Sequence, residues 1–99
     1  MVAKKTAKKS VIVRAYSGVF FGLESQRRGD EIDLLDCRQI WQWQSTGLEK
    51  PVLTCGDIAI RGVGKGSKVS DPSPLATIRD VKAVFVCTPE AVRVIEGIA

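Results

Sequence analysis

The sequence contains no histidine, the side chain that most often acts as a general base or metal ligand in proteins. This absence excludes a Ser-His or Cys-His nucleophile from the chain. The three cysteines, Cys37, Cys55 and Cys87, are isolated from one another, and their spacing is not that of a zinc site or a disulfide framework. We therefore expect buried, reduced thiols, no metal, no cofactor and no enzymatic activity.

The sequence also lacks a long hydrophobic run. No apolar stretch approaches the roughly 18 residues that a membrane-spanning helix requires. The lysines near the N-terminus are not followed by the apolar core of a secretory signal. We therefore expect a cytosolic protein with no membrane partner. With 99 residues, 44% of them hydrophobic, the chain is long enough for one domain with its own core.

The net charge of +4 comes from the N-terminus. The first ten residues contain Lys4, Lys5, Lys8 and Lys9 and no acid, whereas the rest of the chain carries equal numbers of cations and anions. We interpret residues 1–10 as a disordered basic arm and residues 11–99 as a single β-rich domain. Phosphate contacts by the arm would offer a nucleic-acid-binding alternative, but the neutral domain itself predicts no nucleic-acid partner.

Residues 11–44 are the most informative part of the chain. They predict three antiparallel strands, rich in β-branched, aromatic and leucine residues and separated by turn sequences, at residues 11–16, 19–25 and 31–43. Both tryptophans and the only tyrosine lie here, beside Arg14 and Arg38. Such a sheet can hold a core and also bind a flat anionic ligand.

The second half of the chain is less regular. Residues 54–61 fit either a strand or a short helix capped by Thr54, and periodicity does not separate the two. Residues 64–68 and 71–74 are predicted to be loops. Residues 76–78 and 81–87 are predicted to form one further strand region, broken or kinked near Asp80.

The chain ends with a clearer helix signal. Thr88, Pro89 and Glu90 provide an N-cap hydroxyl, a proline at the first helical position and an acid in the first turn, and Gly97 is a stop signal. The expected fold is mainly β: a small antiparallel sheet or partly open barrel, with a short C-terminal helix over one face.

Two polar segments are candidate sites. Asp30, Glu31, Asp33 and Asp36 fit a solvated strand edge better than a catalytic carboxylate pair, because successive strand residues alternate between faces. The glycine-rich segment 62–68 carries Lys65 and Lys68. It lacks the spacing of a Walker A motif, and both a surface loop and a loop that closes over a phosphorylated ligand remain open.

The aromatic and cationic strand residues form the third candidate site. Trp41 and Trp43 are predicted to share one face of their strand, where they serve the core, a subunit interface or a ligand. Arg14 is flanked by apolar neighbours. It could form an ion pair with Asp33 or Asp36, or bind phosphate through its guanidinium group.

Three segments resemble a family of short bacteriophage proteins. They are VIVRAYSGVFFG (residues 11–22), CRQIWQW (residues 37–43) and FVCTPEAVRVIEG (residues 85–97). The family is similar to the phage Thoeris anti-defence proteins, oligomeric "sponges" that bind cyclic ADP-ribose-type signals, and in some members cyclic oligonucleotides, without cleaving them. This chain differs in its shorter turn at Ser17, in Gln39 where the strand motif has a second arginine, and in the altered segment after Trp43.

The resemblance implies a function and a site. It implies a phage-encoded, non-enzymatic protein that sequesters a cyclic nucleotide or cyclic ADP-ribose-type immune signal in the cytoplasm of the infected bacterial host. It also implies a homo-oligomer with sites between subunits. The matching positions, with two lysines inferred from the loop, give these expected ligand-binding residues: Arg14, Tyr16, Ser17, Arg38, Trp41, Trp43, Lys65 and Lys68. A nucleic-acid-binding phage accessory protein and a structural or interaction module without a small ligand are the alternatives.

Overall fold

The computed structural model describes residues 9–98, and within this range the chain forms six strands and two helices. In chain order they are β1 (Ser10–Ala15), β2 (Gly18–Arg28), β3 (Glu31–Gln42), α1 (Cys55–Arg61), β4 (Lys68–Val69), β5 (Ser73–Ile78), β6 (Val81–Val86) and α2 (Pro89–Glu96). The predicted mainly β fold with a short C-terminal helix is confirmed. The predicted arm lies mostly outside the described residues, but Ser10 already belongs to β1.

All strand pairs are antiparallel, and the sheet order is β4-β3-β2-β1-β6. Strand β5 also pairs with β3. Because β2 occupies one edge of β3 over its length, β4 and β5 must follow one another along the opposite edge. Strands β5 and β6 therefore lie at the two edges of the sheet.

The sheet is strongly curled. Register shifts occur between Phe21 and Leu23 and between Glu24 and Gln26, and such bulges bend a strand and increase its twist. Only two residues separate β5 from β6, although these strands occupy opposite edges. The main-chain N–H of Val81 donates to the carbonyl oxygen of Asp30 at 2.9 Å, which ties the start of β6 to the β2–β3 turn. The result is an open sheet that curls towards a barrel.

The strand region predicted at residues 76–78 and 81–87 is broken at Asp80, so it forms two strands and not one kinked strand. Strand β5 pairs with β3 and β6 pairs with β1, so the two segments never form one strand. Asp80, with φ of 57°, adopts the left-handed conformation that turns the chain from one edge to the other. The predicted loop at residues 71–74 also ends earlier, because β5 begins at Ser73.

Two hydrophobic clusters lie on opposite faces of β1. The inner cluster fills the curl of the sheet with Val11, Val13, Ala15, Ile32, Leu34, Cys37 and Ile78. The outer cluster lies between the sheet and the two helices and contains Ile12, Phe21, Ile40, Val52, Cys55, Ile58, Ala59, Val63 and Ile95. Strand β1 alternates between the two, because successive side chains point to opposite faces.

Residues 54–61, which fitted either a helix or a strand, are helical from Cys55. The Thr54 hydroxyl accepts from the Asp57 main-chain N–H at 3.2 Å, and the Asp57 carboxylate accepts from the Thr54 N–H at 3.1 Å. This capping box satisfies N–H groups that a helix start would otherwise leave unpaired. Gly62, with φ of 82°, ends the helix.

The C-terminal helix agrees with its sequence signals. The Thr88 hydroxyl caps α2 by accepting from the Ala91 N–H at 3.1 Å, Pro89 occupies the first turn, and Gly97 follows the last residue. Ala91 and Ile95 are buried against the outer cluster. The expectation that this helix covers one face of the sheet is confirmed.

An ion-pair network joins the tip of the β2–β3 hairpin to β5. Arg28 donates from both terminal nitrogens to the two carboxylate oxygens of Asp33, at 3.0 and 3.1 Å. The Thr77 hydroxyl donates to the same carboxylate at 2.7 Å, and Glu31 pairs with Arg28 and Arg79. The solvated edge predicted for the four acids is therefore wrong for Asp33 and Glu31, which hold strands together.

The Asp33 carboxylate gives the fold an acid-sensitive contact. Hydrogen bonds from Arg28 and Thr77 lower its pKa below the ordinary value, because they favour the charged form. A group with a lowered pKa in the folded state stabilises the protein at neutral pH, and this contribution is lost as the pH falls below about 4.

We predict that Asp33→Asn lowers the free energy of unfolding at neutral pH and weakens its decline in acid. Urea unfolding followed by circular dichroism at several pH values between neutrality and about pH 3 measures both effects. Asp36→Asn is the matched control, because Asp36 is exposed, makes no ion pair with a described residue, and has a φ of 51° that asparagine also tolerates. Identical pH dependence of the two variants would contradict the role of Asp33.

Candidate functional site

The two most exposed aromatic side chains lie at one end of the sheet. Tyr16 is 85% exposed and Trp41 is 68% exposed. Phe20 lies opposite Gln39, so the same antiparallel register, extended by two residues, places Gly18 beside Trp41. Gly18 also lies opposite Ala15, immediately before Tyr16. We call the group of Tyr16, Ser17, Gly18, Gln39 and Trp41 the aromatic end.

The prediction that Trp41 and Trp43 share one face was wrong. Trp43 packs against the outer cluster beneath the helices, whereas Trp41 is exposed to solvent. The pairing of β3 with β4 shifts register between Ile40 and Gln42, and β3 ends at Gln42. This bulge breaks the two-residue alternation on which the prediction depended.

Arg14 and Arg38 lie on the helix-side face of the sheet. Arg14 lies opposite Val19 and Arg38 opposite Phe21, so strand β2 separates them. Arg14 is exposed and forms no ion pair with any residue between 9 and 98, so the expected bridge to Asp33 or Asp36 is absent from this part of the chain. Arg38 is half-buried and donates to the Ser70 carbonyl oxygen at 3.4 Å.

The glycine-rich segment is fixed to the chain that follows β3. The N–H groups of Gly64 and Lys65 donate to the carbonyl oxygens of Gln44 and Thr46, at 2.7 and 3.0 Å. The buried Ser67 hydroxyl donates to the Gly64 carbonyl oxygen and accepts from the Gln44 N–H. The N–H groups of Gly64 and Lys65 are therefore already paired and are not free to bind a phosphate.

The two lysines of this segment differ in their relation to the aromatic end. Lys68 is exposed and lies opposite Gln42, the residue after Trp41. Lys65 is exposed on the loop, with its aliphatic stem beside Gly47. The structure therefore brings Tyr16, Ser17, Trp41 and Lys68 to one end and leaves the other expected residues elsewhere.

Gln39 and Gly18 were not among the expected binding residues. A Cβ atom on Gly18 would lie 2.9 Å from Nε2 of Gln39, so the carboxamide extends over the glycine towards the aromatic end. Gly18 also has a φ of 143°, a conformation that other residues rarely adopt. The two-residue spacing of Gln39 and Trp41 is the sequence signal that could have indicated Gln39, since residues two apart in a strand share a face.

The cysteine thiols are poor nucleophiles. Burial raises the pKa of Cys37 to about 11 and that of Cys87 to about 12, and it also raises the pKa of Cys55, where the charge of Arg14 acts in the opposite direction. All three are free, as expected. Within residues 9–98 no group of three acids and cysteines could hold a metal ion.

Two grooves contain none of the residues of the aromatic end. One, of about 480 Å³, is formed mainly by residues 47–50 and the C-terminal end of α1, and Leu48, Ile60 and Arg61 are among its lining residues. The other, of about 290 Å³, lies between the β2–β3 turn and β6. Neither contains an expected binding residue. No helix in the described range is both long enough and apolar enough to span a bilayer.

Comparison with protein families gives one match over most of the chain. Residues 8–95 match the domain of unknown function DUF6948. The chain belongs to the DUF6948 family. The match runs through the whole sheet and most of α2, so the DUF6948 domain includes the aromatic end. Searches of curated proteins and of solved structures found no match. The resemblance to Thoeris anti-defence proteins therefore stays a prediction.

We predict that Gly64→Ala destabilises this DUF6948 domain, because the added Cβ would lie 2.5 Å from the Thr46 nitrogen and 2.6 Å from the Ser45 carbonyl carbon. Overpacking against such atoms costs typically about 1–3 kcal/mol. The measurement is the free energy of unfolding in urea.

Gly56→Ala is the matched control for this glycine. Its Cβ would meet the Phe85 ring at an ordinary 3.5 Å, and alanine is favoured over glycine within a helix by up to about 1 kcal/mol. We expect Gly56→Ala to be neutral or stabilising. If Gly64→Ala were equally well tolerated, the close packing of the loop against residues 45–46 would be refuted.

Proposed function

We propose that this protein binds a nucleotide-type small molecule at the aromatic end and holds it without chemical conversion. The observation that carries the proposal is the exposure of Trp41 and Tyr16 at the same end of a rigid sheet. Exposed rings on strands are suited to stacking with nucleobases, and each stacked base contributes about 1–3 kcal/mol.

The charge next to the rings supports an anionic ligand. Lys68 lies opposite the residue after Trp41, and the Ser17 hydroxyl lies in the turn between β1 and β2. An ammonium group and a hydroxyl can both hydrogen-bond a phosphate. Arg14 and Lys65, both exposed, are further cations from the expected set, although they lie outside the aromatic end.

Binding without turnover follows from the side chains that the sequence offers. There is no histidine, and the thiols of Cys37 and Cys87 stay protonated at neutral pH. With the resemblance described above, these features support a phage-encoded protein that sequesters a cyclic nucleotide or cyclic ADP-ribose-type immune signal. The setting would be the cytoplasm of the infected bacterial host.

A homo-oligomer is part of the same proposal. The ring of Trp41 is open to solvent, so one subunit covers only one side of a stacked base, and a second subunit could cover the other. Exposed apolar residues on both edge strands, Leu75 on β5 and Val86 on β6, offer surfaces for self-association. A nucleic-acid partner stacking on the same rings remains the alternative function.

We predict that the melting temperature rises in the presence of a cyclic dinucleotide, a cyclic trinucleotide or a cyclic ADP-ribose isomer. A ligand that binds only the folded state stabilises it by mass action. Trp41→Ala should weaken this binding roughly 5- to 150-fold, the equivalent of the stacking energy above.

Leu53→Ala serves as the matched control, because Leu53 is 74% exposed and lies before α1, outside the aromatic end. The ligand is then released by heat and analysed by mass spectrometry. Recovery of the intact molecule is expected, and recovery of a hydrolysed product would refute capture without turnover. Binding only to single-stranded oligonucleotides would favour the nucleic-acid alternative.

A further inference from the structure

The Gln39 carboxamide is a free hydrogen-bonding group on the strand that carries the exposed Trp41, two residues before it. Its main chain is fixed, since the Gln39 N–H donates to the Ser70 hydroxyl at 2.8 Å and its carbonyl oxygen accepts from the Ser70 N–H at 2.9 Å. The side-chain amide makes no hydrogen bond with a residue in the described range. Buried side-chain nitrogens and oxygens without a partner are absent from that range, so this amide is open to solvent.

The position of the amide is set by its neighbours. Its Nε2 atom lies where it would be 2.9 Å from a Cβ on Gly18, so the side chain extends towards the start of β2. The Phe20 side chain, which lies opposite Gln39 on β2, packs against the inner cluster. The amide thus lies over a glycine that leaves room for it.

A carboxamide beside a stacking ring can read a base. It presents one acceptor and two donors in a plane. Adenine presents an acceptor at N7 next to a donor at N6, and glutamine pairs with these two groups at once. Guanine presents two acceptors, N7 and O6, on the same edge, so one of them would face the carboxamide oxygen without a hydrogen bond.

We propose that Gln39 is the specificity-determining residue of the aromatic end and that it selects adenine over guanine in the bound nucleotide. The base stacks on Trp41, and its N6 and N7 edge pairs with the Gln39 carboxamide over Gly18. This inference rests on the proposed function, because it assumes that a nucleobase stacks on Trp41.

The test uses AMP and GMP as probes with the full chain. In a Trp43→Phe background Trp41 is the only tryptophan, so quenching of its fluorescence on titration reports stacking at the aromatic end. The unsubstituted Gln39 should bind AMP more tightly than GMP. Gln39→Leu, which keeps the size of the side chain, should lower the affinity for AMP by about 5- to 150-fold. It should leave the affinity for GMP unchanged.

Two further variants complete the test. Gln39→Glu keeps the shape but has no donor for N7, so it should also lower the affinity for AMP, which guards against misfolding of the leucine variant. Gln26→Leu, in the exposed part of β2, is the matched control and should bind both probes like the parent.

The outcomes separate this inference from the proposed function. Quenching by both nucleotides with equal affinity, unaffected by Gln39→Leu, would overturn base selection by Gln39 and leave nucleotide binding at Trp41 intact. No quenching by either nucleotide at millimolar concentration would overturn both. A preference for AMP that is lost with Gln39→Leu but kept with Gln26→Leu, together with weaker AMP binding by Gln39→Glu, is the result expected here.

Discussion

Burial of β1 on both faces is the constraint on which the rest of the structure depends. Val11, Ile12 and Val13 are fully buried, so each face of this central strand must be covered. The curled β2–β3 hairpin and β5 cover one face, and the two helices cover the other. Apolar burial of this kind is the dominant favourable term in folding. The bulges in the β2–β3 hairpin and the helix caps therefore serve a common purpose.

The same constraint explains where a ligand can bind. Much of each sheet face is already occupied, the inner one by the curl and the outer one by helices, and the amides of Gly64 and Lys65 are paired with Gln44 and Thr46. Neither the curl of the sheet nor the helices cover the end of the sheet where Tyr16 and Trp41 lie. Binding at an end of the sheet would let the protein keep both cores intact and still present aromatic rings.

The elements that the sequence predicted well are those set by local chemistry. Thr88, Pro89 and Gly97 delimit α2 because capping depends on residues within one turn of each other. The first three strands were also placed to within a few residues. The two tryptophans were not, because a single bulge at the end of β3 separates side chains that a regular strand would keep together. Gln39 was overlooked because its orientation depends on Gly18 of a neighbouring strand.

The sequence by itself determined the class of fold, the absence of histidine chemistry and the helix boundaries at α2, since composition and short-range hydrogen bonding decide them. Only the tertiary structure decided which of the conspicuous residues meet. It placed Trp41, Tyr16 and Lys68 at one end of the sheet and packed Trp43 against the outer cluster. It placed Arg14 and Arg38 on the helix-side face of the sheet. The physical reason is that strand pairing and bulges, which join residues distant in the chain, set the direction of each side chain.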